Sequence, residues 1–376
     1  MAAHARVHPH RHRGAKNAAP PAPASAALVM AGGIFLLGPL RRIPSGPGVP
    51  TDILALALIA IWAVLVWLFG RAIRAGQLPG SRPAGNFAMG TWVAATAIVA
   101  ETTMRAFPGL RPLAIAFALL ATGLWGWFLW IAASGVRELL DEHGQVPVTG
   151  TVLLTTVSTQ SLVLAWQNVL PSGLPLAAAR ALLAVGMVFY LVGAALTGFG
   201  LTAPRTWTFV ADWRAPRCIL HGAISITGLA ALRSHAVGWP VLVGLWLLAA
   251  ALFVVVEGME VIRLRFRVRA HGWRPAVIIY HPAQWARNFT FGMFYTFTLA
   301  LARDRSATVH APWAAEVWGW LVDWGQYAVL ALLVAEAALL LAFLSHARWL
   351  AGRQAGIVHH APRSSLHEER HHRARL

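Results

Sequence analysis

The stretch from 281 to 303, HPAQWARNFTFGMFYTFTLALAR, combines an apolar background with polar side chains that could act inside a membrane. It is long enough for a membrane-spanning helix, yet the arginine, the asparagine and the three threonines in its interior are costly to expose to lipid. One face of this helix is therefore predicted to look at protein or water. At helical spacing, Phe289, Gly292, Thr296 and Leu299 share one stripe.

A stripe that contains an aromatic residue is typical of a packed core. Phe289, however, stands between Asn288 and Thr290 and shortly before Gly292. That arrangement also fits a side-chain plug, because hydrophobic constrictions close pores by steric blocking and by excluding water. Both interpretations of Phe289 stay open at this point.

Ionisable residues inside apolar segments are candidate functional groups, because a charge is costly there. Arg287 lies about one turn into the stretch and is predicted either to line an anion path or to snorkel to the cytoplasmic interface. Glu336 is the candidate for a proton-titrating group or for a polar contact between subunits. His221 is predicted to be a hydrogen-bonded buried histidine, with a proton relay or a ligand as the alternative.

Motifs for several other chemistries are missing from the sequence. It has no P-loop, no HExxH and no GxGxxG between a strand and a helix. Cys218 is the only cysteine, which excludes an internal disulfide and a CxxC motif. Glu257 and Glu260 precede Arg263 and fit an interfacial salt-bridged cap. We predict no enzymatic activity, no cofactor and no metal site, although the histidines of the tails could bind divalent metal loosely.

The composition indicates a polytopic membrane protein. The 376 residues are 57% hydrophobic and 12% charged. A net charge of +17 would suggest nucleic acid in a soluble protein, but here the basic residues lie between apolar runs and in the two tails. The predicted partner is therefore the lipid bilayer and not a nucleic acid.

Ten apolar runs follow one another, and the fold class predicted from them is an all-α membrane protein. A basic, His-rich tail at 1–23 is predicted to be disordered, 24–345 to form the membrane domain, and 346–376 to be a second basic, His-rich tail in the cytoplasm. Most of the arginines outside the spans fall on the side of the two termini, which places both termini in the cytoplasm. The predicted spans are about 24–40, 52–70, 86–104, 113–134, 148–168, 174–201, 216–233, 239–262, 281–303 and 319–345.

The spans alternate in composition. The odd spans collect glycine, hydroxyl and amide residues, whereas the even spans are mostly Leu, Val, Ala and Trp. In lipid, small and hydroxyl residues mark buried packing or an aqueous path. We therefore predict five helical hairpins, each with its odd helix inside and its even helix outside, around a central pore. The candidate pore-lining residues are Gly33, Gly90, Thr156, Gln160, His221, Gly222, Asn288, Thr290, Gly292 and Thr296.

Four segments, in order, resemble the tellurite-resistance/dicarboxylate transporter family, which includes the plant guard-cell slow anion channels. They are ALVMAGGIF, VSTQSLVL, RCILHGAISITGLAAL and, most specifically, QWARNFTFGMFY. The resemblance implies ten helices as five hairpins around a roughly five-fold pore, commonly in trimers, and puts the pore-occluding phenylalanine at Phe289. The chain departs from the family pattern at Gln284, at Arg287 and at Thr290, which replaces a proline.

The expected function is transport of small inorganic or organic anions across a bacterial inner membrane, through a central pore closed by Phe289 and helped by the positive charge of Arg287. The alternative is a proton-coupled carrier of dicarboxylates, other organic acids or sulfite, using Glu336 or His221. A third possibility, from another class, is a membrane enzyme or a metal-binding subunit that uses the histidines.

Overall fold

The computed structural model describes residues 23–43, 51–76, 83–141, 148–202, 213 and 215–359. Within these ranges all regular structure is helical, and no strand occurs. The N-terminal tail predicted at 1–23 lies outside the described residues except for Pro23, and so do residues 360–376 of the C-terminal tail. The all-α class is confirmed for the described part of the chain.

Long and short α-helices follow one another along the chain, and five of the described connections between them carry a short 3₁₀ turn. The α-helices are α1 (Ala27–Leu37), α2 (Thr51–Arg74), α3 (Gly90–Ala106), α4 (Arg111–Asp141), α5 (Leu154–Val169), α6 (Leu176–Thr202), α7 (Ile219–Arg233), α8 (Trp239–His271), α9 (Trp273–Val277), α10 (Ala283–Arg303), α11 (Arg305–His310) and α12 (Pro312–His359). The 3₁₀ turns are Pro23–Ala26, Pro39–Arg41, Pro83–Met89, Pro108–Leu110, Gly150–Leu153 and Ala215–Cys218.

Local sequence explains where several helices begin. Proline lies in the first turn of α8 and begins α12, where its missing N–H costs nothing and its fixed φ suits the helix. Between α10 and α11, Asp304 caps the next helix by accepting a hydrogen bond from the Ala307 N–H at 2.8 Å. These signals produce the sharp reversals that stack neighbouring helices.

Six helical segments are long and apolar enough to cross a membrane, so the chain has the character of a multi-pass membrane protein. They are Pro23–Arg41, Thr51–Arg74, Pro108–Leu139, Leu176–Gly198, Trp239–His271 and Pro312–His346. All but the first of them are the Leu- and Trp-rich helices.

The five shorter helices α1, α3, α5, α7 and α10 pack side by side in a closed order. Each touches two others, in the sequence α1, α3, α5, α7, α10 and back to α1, and we call this set the helix ring. The longer helices α2, α4, α6, α8 and α12 lie outside, each against two neighbouring ring helices. Consecutive helices along the chain therefore alternate between the inside and the outside.

Burial follows the same division. The apolar window of Pro23–Arg41, in the ring, is 67% buried, whereas those of the outer helices are 11–28% buried. Large side chains such as Trp130 and Trp324 are exposed on the outer helices by 71% and 64%. Such a surface suits contact with lipid tails, and in water it would be a large exposed apolar patch.

Several helix boundaries differ from the prediction. Helix α4 ends at Asp141 and α8 at His271, past the predicted ends at about 134 and 262. Helix α12 begins at Pro312, before the predicted start at 319, and continues to His359, so the first part of the predicted C-terminal tail is helical. Helix α10 is continuous from Ala283 to Arg303, as expected for a stretch in which Thr290 stands where a proline would impose a kink.

Candidate functional site

A cavity of about 230 Å³ lies at the centre of the helix ring, towards the C-terminal ends of its helices. All five ring helices contribute side chains to its wall. The wall consists of Ile34 and Leu37 from α1; Ile98, Glu101 and Arg105 from α3; Ser161, Leu164, Gln167 and Asn168 from α5; Ile226, Leu229 and Arg233 from α7; and Met293 and Thr296 from α10. We call this space the central cavity.

The charged groups of the central cavity are Glu101, Arg105 and Arg233. Glu101 and Arg105 are one turn apart on α3, and Arg233 comes from the end of α7. Arg105 donates a hydrogen bond from Nη1 to the Leu37 carbonyl oxygen at 3.3 Å, which ties α3 to α1. Both guanidinium groups act electrostatically on the Glu101 carboxylate.

A second cavity, of about 250 Å³, adjoins the first, because Leu37, Arg233 and Thr296 line both. Its further wall includes Arg41, His235, Arg303 and Asp304. We call it the mouth cavity. Four arginines, Arg41, Arg105, Arg233 and Arg303, thus surround the two connected spaces, and Arg105 experiences the charge of the other three.

The hydroxyl groups of the central cavity are not free to donate to a ligand. Ser161 donates to the Val157 carbonyl oxygen at 2.8 Å, and Thr296 donates to the Gly292 carbonyl oxygen at 2.7 Å. A hydroxyl has one proton, so both oxygens face the cavity as acceptors. Donors for an anion must therefore come from the arginines and the amide groups.

The amides of the cavity wall have fixed positions. Asn168 Nδ2 donates to the Glu101 carbonyl oxygen at 3.2 Å, and Gln167 Oε1 accepts from the Leu174 N–H at 3.0 Å. The turn after α5 closes tightly on Gln167, since Gly173 has a φ of +74° and a Cβ there would overlap the Gln167 amide. No hydrogen bond from the Gln167 amide nitrogen occurs within the described ranges.

Large apolar side chains of α10 close the central cavity on the side away from the mouth. Met293 lines the cavity and is 1% exposed. Phe289, one turn earlier on the same face of α10, is 2% exposed. Phe289, predicted as a plug, does not line the central cavity and is buried one turn before Met293 on α10.

Of the residues predicted to line a pore, Thr296 lines the central cavity. The predicted glycines lie at seams between helices: a Cβ on Gly33 would overlap Ile98, one on Gly222 would overlap Thr290, and one on Gly292 would press on Ile34. Glycine at these positions lets the backbones of neighbouring ring helices approach closely.

Gly90 serves the same purpose at the start of α3, where it faces Phe128 of α4 and Leu154 of α5. Thr156 is fully buried, and its Oγ1 has no hydrogen-bond partner among the described residues. Thr290 Oγ1 donates to the Arg287 carbonyl oxygen at 2.9 Å.

Two predicted amides point away from the ring centre. Gln160 Nε2 donates to the Leu183 carbonyl oxygen of α6 at 3.3 Å, and Asn288 Nδ2 donates to the Leu332 carbonyl oxygen of α12 at 3.3 Å. Each therefore joins a ring helix to the outer helix behind it.

Arg287 belongs to an ion-pair network at the opposite end of the ring. Its Nε lies 3.4 Å from Glu257 Oε2, and its Nη2 lies 3.4 Å from Glu260 Oε2. Arg263 Nη1 lies 3.1 Å from Glu260 Oε1, which matches the predicted cap. Two carboxylates of α8 thus face two guanidinium groups, and the charges cancel. We call these residues, together with His221, the α8 charge network.

His221 completes this network from α7. It is fully buried, and its Nε2 lies 3.3 Å from Glu257 Oε1, whereas its Nδ1 has no hydrogen-bond partner among the described residues. Its ring packs edge-on against Phe253 and Phe291 with centroid distances of 5.0 and 6.1 Å. A carboxylate, two aromatic rings and the helix backbone enclose the imidazole.

Glu336 is 5% exposed on α12, one turn beyond the Leu332 carbonyl that Asn288 contacts. Its Oε1 has no hydrogen-bond partner among the described residues. Glu336 lies on an outer helix and does not line either cavity.

Sequence reasoning did not select the charged residues of the central cavity as a site. Glu101 is an acidic residue inside the predicted span 86–104, Arg105 directly follows that span, and Arg233 is the last residue of the predicted span 216–233. Their shared signal is that each lies near the C-terminal end of an odd span, where ring helices converge. Groups of three or more His, Cys, Asp or Glu residues that could hold a metal ion do not occur in the described ranges.

Comparison of the chain with protein-family models, with curated proteins and with solved structures finds no match. The resemblance of its four segments to the tellurite-resistance/dicarboxylate transporter family therefore stays a prediction from the sequence.

Proposed function

We propose that the chain conducts small anions across a membrane through the centre of its helix ring. The observation that carries the proposal is the central cavity, to which all five ring helices contribute and around which four arginines gather. Clefts in which one sign of charge predominates focus the field and raise the local concentration of counter-ions.

The proposed path enters at the mouth cavity, passes Arg233 into the central cavity and reaches the apolar closure at Met293 and Phe289. In this proposal the arginines at the entrance attract anions without forming a tight binding site. Weak binding suits conduction, because an ion must leave as readily as it enters. The positive field, assigned from the sequence to Arg287, is proposed here to come from the arginines at the mouth, since Arg287 is compensated by two carboxylates.

In this proposal the ring helices and the outer helices together make ten spans in five hairpins, with both termini in the cytoplasm of a bacterium and the mouth cavity on the opposite side of its inner membrane. The arginine-rich C-terminal part of α8 supports that orientation, because basic residues favour the cytoplasmic side. A homotrimer with one pore per subunit, and kinship with the tellurite-resistance/dicarboxylate transporter family, belong to the same proposal.

A second candidate function is proton-coupled transport of dicarboxylates, other organic acids or sulfite. The observation that favours it is a carboxylate, Glu101, in the wall of the cavity that an anion would occupy. A carrier of this kind shows saturation by its substrate and movement of protons with it.

The test is anion flux through purified protein in liposomes, with chloride, nitrate, sulfite and malate as probes. Phe289→Ala is expected to raise the flux at least severalfold, because it removes the apolar closure beyond the cavity. The matched control is Phe294→Ala, which removes the same side chain from the same helix on a face that stacks on Phe253 and Trp246 of α8.

The control variant is expected to leave the flux per folded protein unchanged. If neither variant gains flux and both only lose thermal stability, Phe289 is a core residue and the closure proposal fails. If wild-type protein and Phe289→Ala both carry no anion above the level of empty liposomes, the anion path itself fails.

A further inference from the structure

We infer that the Glu101 carboxylate competes with a bound anion for the positive charge of the arginines in the central cavity. An anion therefore binds best when Glu101 is protonated. This inference rests on the proposed anion path and adds a regulatory group to it. It assigns a pH response to the permeation site and names the residue responsible.

Glu101 and two arginines lie close together in one small cavity. Glu101, Arg105 and Arg233 line the same cavity of about 230 Å³, and of the described residues Glu101 is the acidic member of its wall. A sphere of that volume is about 7.6 Å across, which is no longer than the Debye length of roughly 8 Å at physiological salt. A bound anion and the Glu101 carboxylate therefore repel each other without effective screening.

The carboxylate is not held in place by an ion pair. The described salt bridges within 4.0 Å do not include Glu101, although Arg105 and Arg233 both act on it electrostatically. Its backbone, in contrast, is fixed, because Asn168 donates to its carbonyl oxygen. The carboxyl group thus stays at the cavity wall and is available to the cavity contents.

Protonation changes this group from a competitor to a donor. An ionised carboxylate only accepts hydrogen bonds, whereas a protonated carboxyl carries an O–H that can donate. In the protonated form the positive field of the two arginines is no longer offset, and the cavity gains a donor that its hydroxyl residues do not provide. Binding of one anion is thereby linked to uptake of at most one proton.

Other charged groups near Glu101 must be separated from this effect. Arginines keep their charge over the whole range of interest. His235 and Asp304 line the mouth cavity beside the arginines, so each needs a control variant of its own. Among the described residues, the charged groups at this end of the ring include Arg105 and Arg233 in the cavity and Arg41, Arg303, His235 and Asp304 at the mouth. The exposed Asp52 and Arg111 lie at the starts of α2 and α4, which pack on α3, and the other charged residues of these two helices lie towards their C-terminal ends.

The experiment measures chloride and nitrate flux in liposomes against anion concentration from pH 5 to pH 8. For wild-type protein, the half-saturating concentration is expected to rise with pH, with a slope that approaches but does not exceed about tenfold per pH unit, the limit for one linked proton. Glu101→Gln is expected to remove this dependence and to keep the low-pH affinity at every pH. Glu101→Asp is expected to restore it.

Two matched control variants test whether a residue at the mouth cavity causes the pH dependence. His235→Asn keeps a residue suited to the positive φ of 51° at this position, and Asp304→Asn keeps a helix cap. Both are expected to retain the pH dependence of wild type. If either control abolishes it while Glu101→Gln retains it, Glu101 is not the responsible group and the inference is overturned.

A binding measurement separates this inference from the proposed function. Thermal stabilisation of the detergent-purified protein by sodium nitrate follows anion binding without requiring transport. If liposomes show no flux but nitrate stabilises wild type more at pH 5 than at pH 8, and equally at both pH values in Glu101→Gln, the path fails and the inference stands. If flux occurs and neither measurement depends on Glu101, the path stands and the inference fails.

Discussion

The two ends of the helix ring use the same type of residue in opposite ways. At one end, Arg287 and Arg263 face Glu257 and Glu260 at 3.1 to 3.4 Å, and the charges of the α8 charge network cancel. At the other end, Arg41, Arg105, Arg233 and Arg303 surround two cavities with few carboxylates near them. Compensated arginines join helices, whereas uncompensated arginines project a field into open space.

The difference between the ends shows why an arginine in an apolar segment has no single interpretation. A guanidinium group that is 14% exposed and flanked by carboxylates contributes little field at a distance. One beside an open cavity acts over several ångströms. The first is expected to govern stability and the second to govern flux.

The largest effect is expected from a substitution in the α8 charge network, where the arginines are neutralised by carboxylates. Glu257→Gln leaves Arg287 and His221 short of a partner in a partly buried position, and we expect a loss of on the order of 3 kcal/mol in stability, as for other broken buried pairs. Thermal unfolding of the purified protein in detergent measures it. The double variant with Arg287→Gln removes both charges together and is expected to lose less than the sum of the two single changes.

The anion selectivity of the folded fraction of either variant is expected to match wild type, which reversal potentials in planar bilayers measure. A shift of the reversal potential in the double variant, with stability unchanged, would show that Arg287 acts on the path, and the comparison between the two ends would break down.

A smaller effect is expected at the uncompensated end. Arg233→Gln removes a charge that lines both cavities, and we expect about a tenfold fall in anion flux at low ionic strength, within the range known for electrostatic steering. The loss is expected to shrink as salt is added, because screening reduces the same field in wild type.

Thermal stability of Arg233→Gln is expected to stay within about 0.5 kcal/mol of wild type, as is usual for exposed substitutions. A flux that falls equally at low and high salt would indicate a local structural change in place of a lost field.

The smallest effect is expected from Arg42→Gln. Arg42 pairs with Asp323 at 3.0 Å on the outside of the mouth, where the two side chains are 40% and 63% exposed. An exposed pair of this kind contributes about 0–1 kcal/mol, so stability is expected to change little. Flux at low ionic strength is expected to stay within about twofold of wild type, because the charge lies in high dielectric. A tenfold loss would extend the functional surface beyond the two cavities.

The alternation of ring helices and outer helices was predictable because the amino-acid composition of each helix reflects its surroundings. Leu- and Trp-rich helices face outwards, and helices with glycine and hydroxyl residues are buried, as the sequence indicated. The direction in which single residues point was harder to predict. Gln160 and Asn288 are polar residues on ring helices, yet both turn outwards to carbonyl groups that only the packed structure supplies.

The charged cavity could not be predicted from local patterns. Glu101 and Arg105 are neighbours on α3, but Arg233 is distant in sequence and meets them only when the ring closes. Arg287 is a candidate from the sequence because it interrupts an apolar run. The sequence does not connect it to Glu257 and Glu260, which were assigned to a separate cap on α8. A charged residue in an apolar segment can be found from the sequence, but the partners on another helix that neutralise its charge are seen only in the folded structure.

The glycine seams of the helix ring bear on how the proposed path would open. Gly33, Gly222 and Gly292 let neighbouring helices interlock, so an iris-like dilation would have to separate several close seams at once. Rotation of the Phe289 side chain separates none of them. Collective helix movements take microseconds to milliseconds, and side-chain rotation is much faster. The proposed path would therefore open briefly and often by rotation of the Phe289 side chain, while the ring helices stay in place.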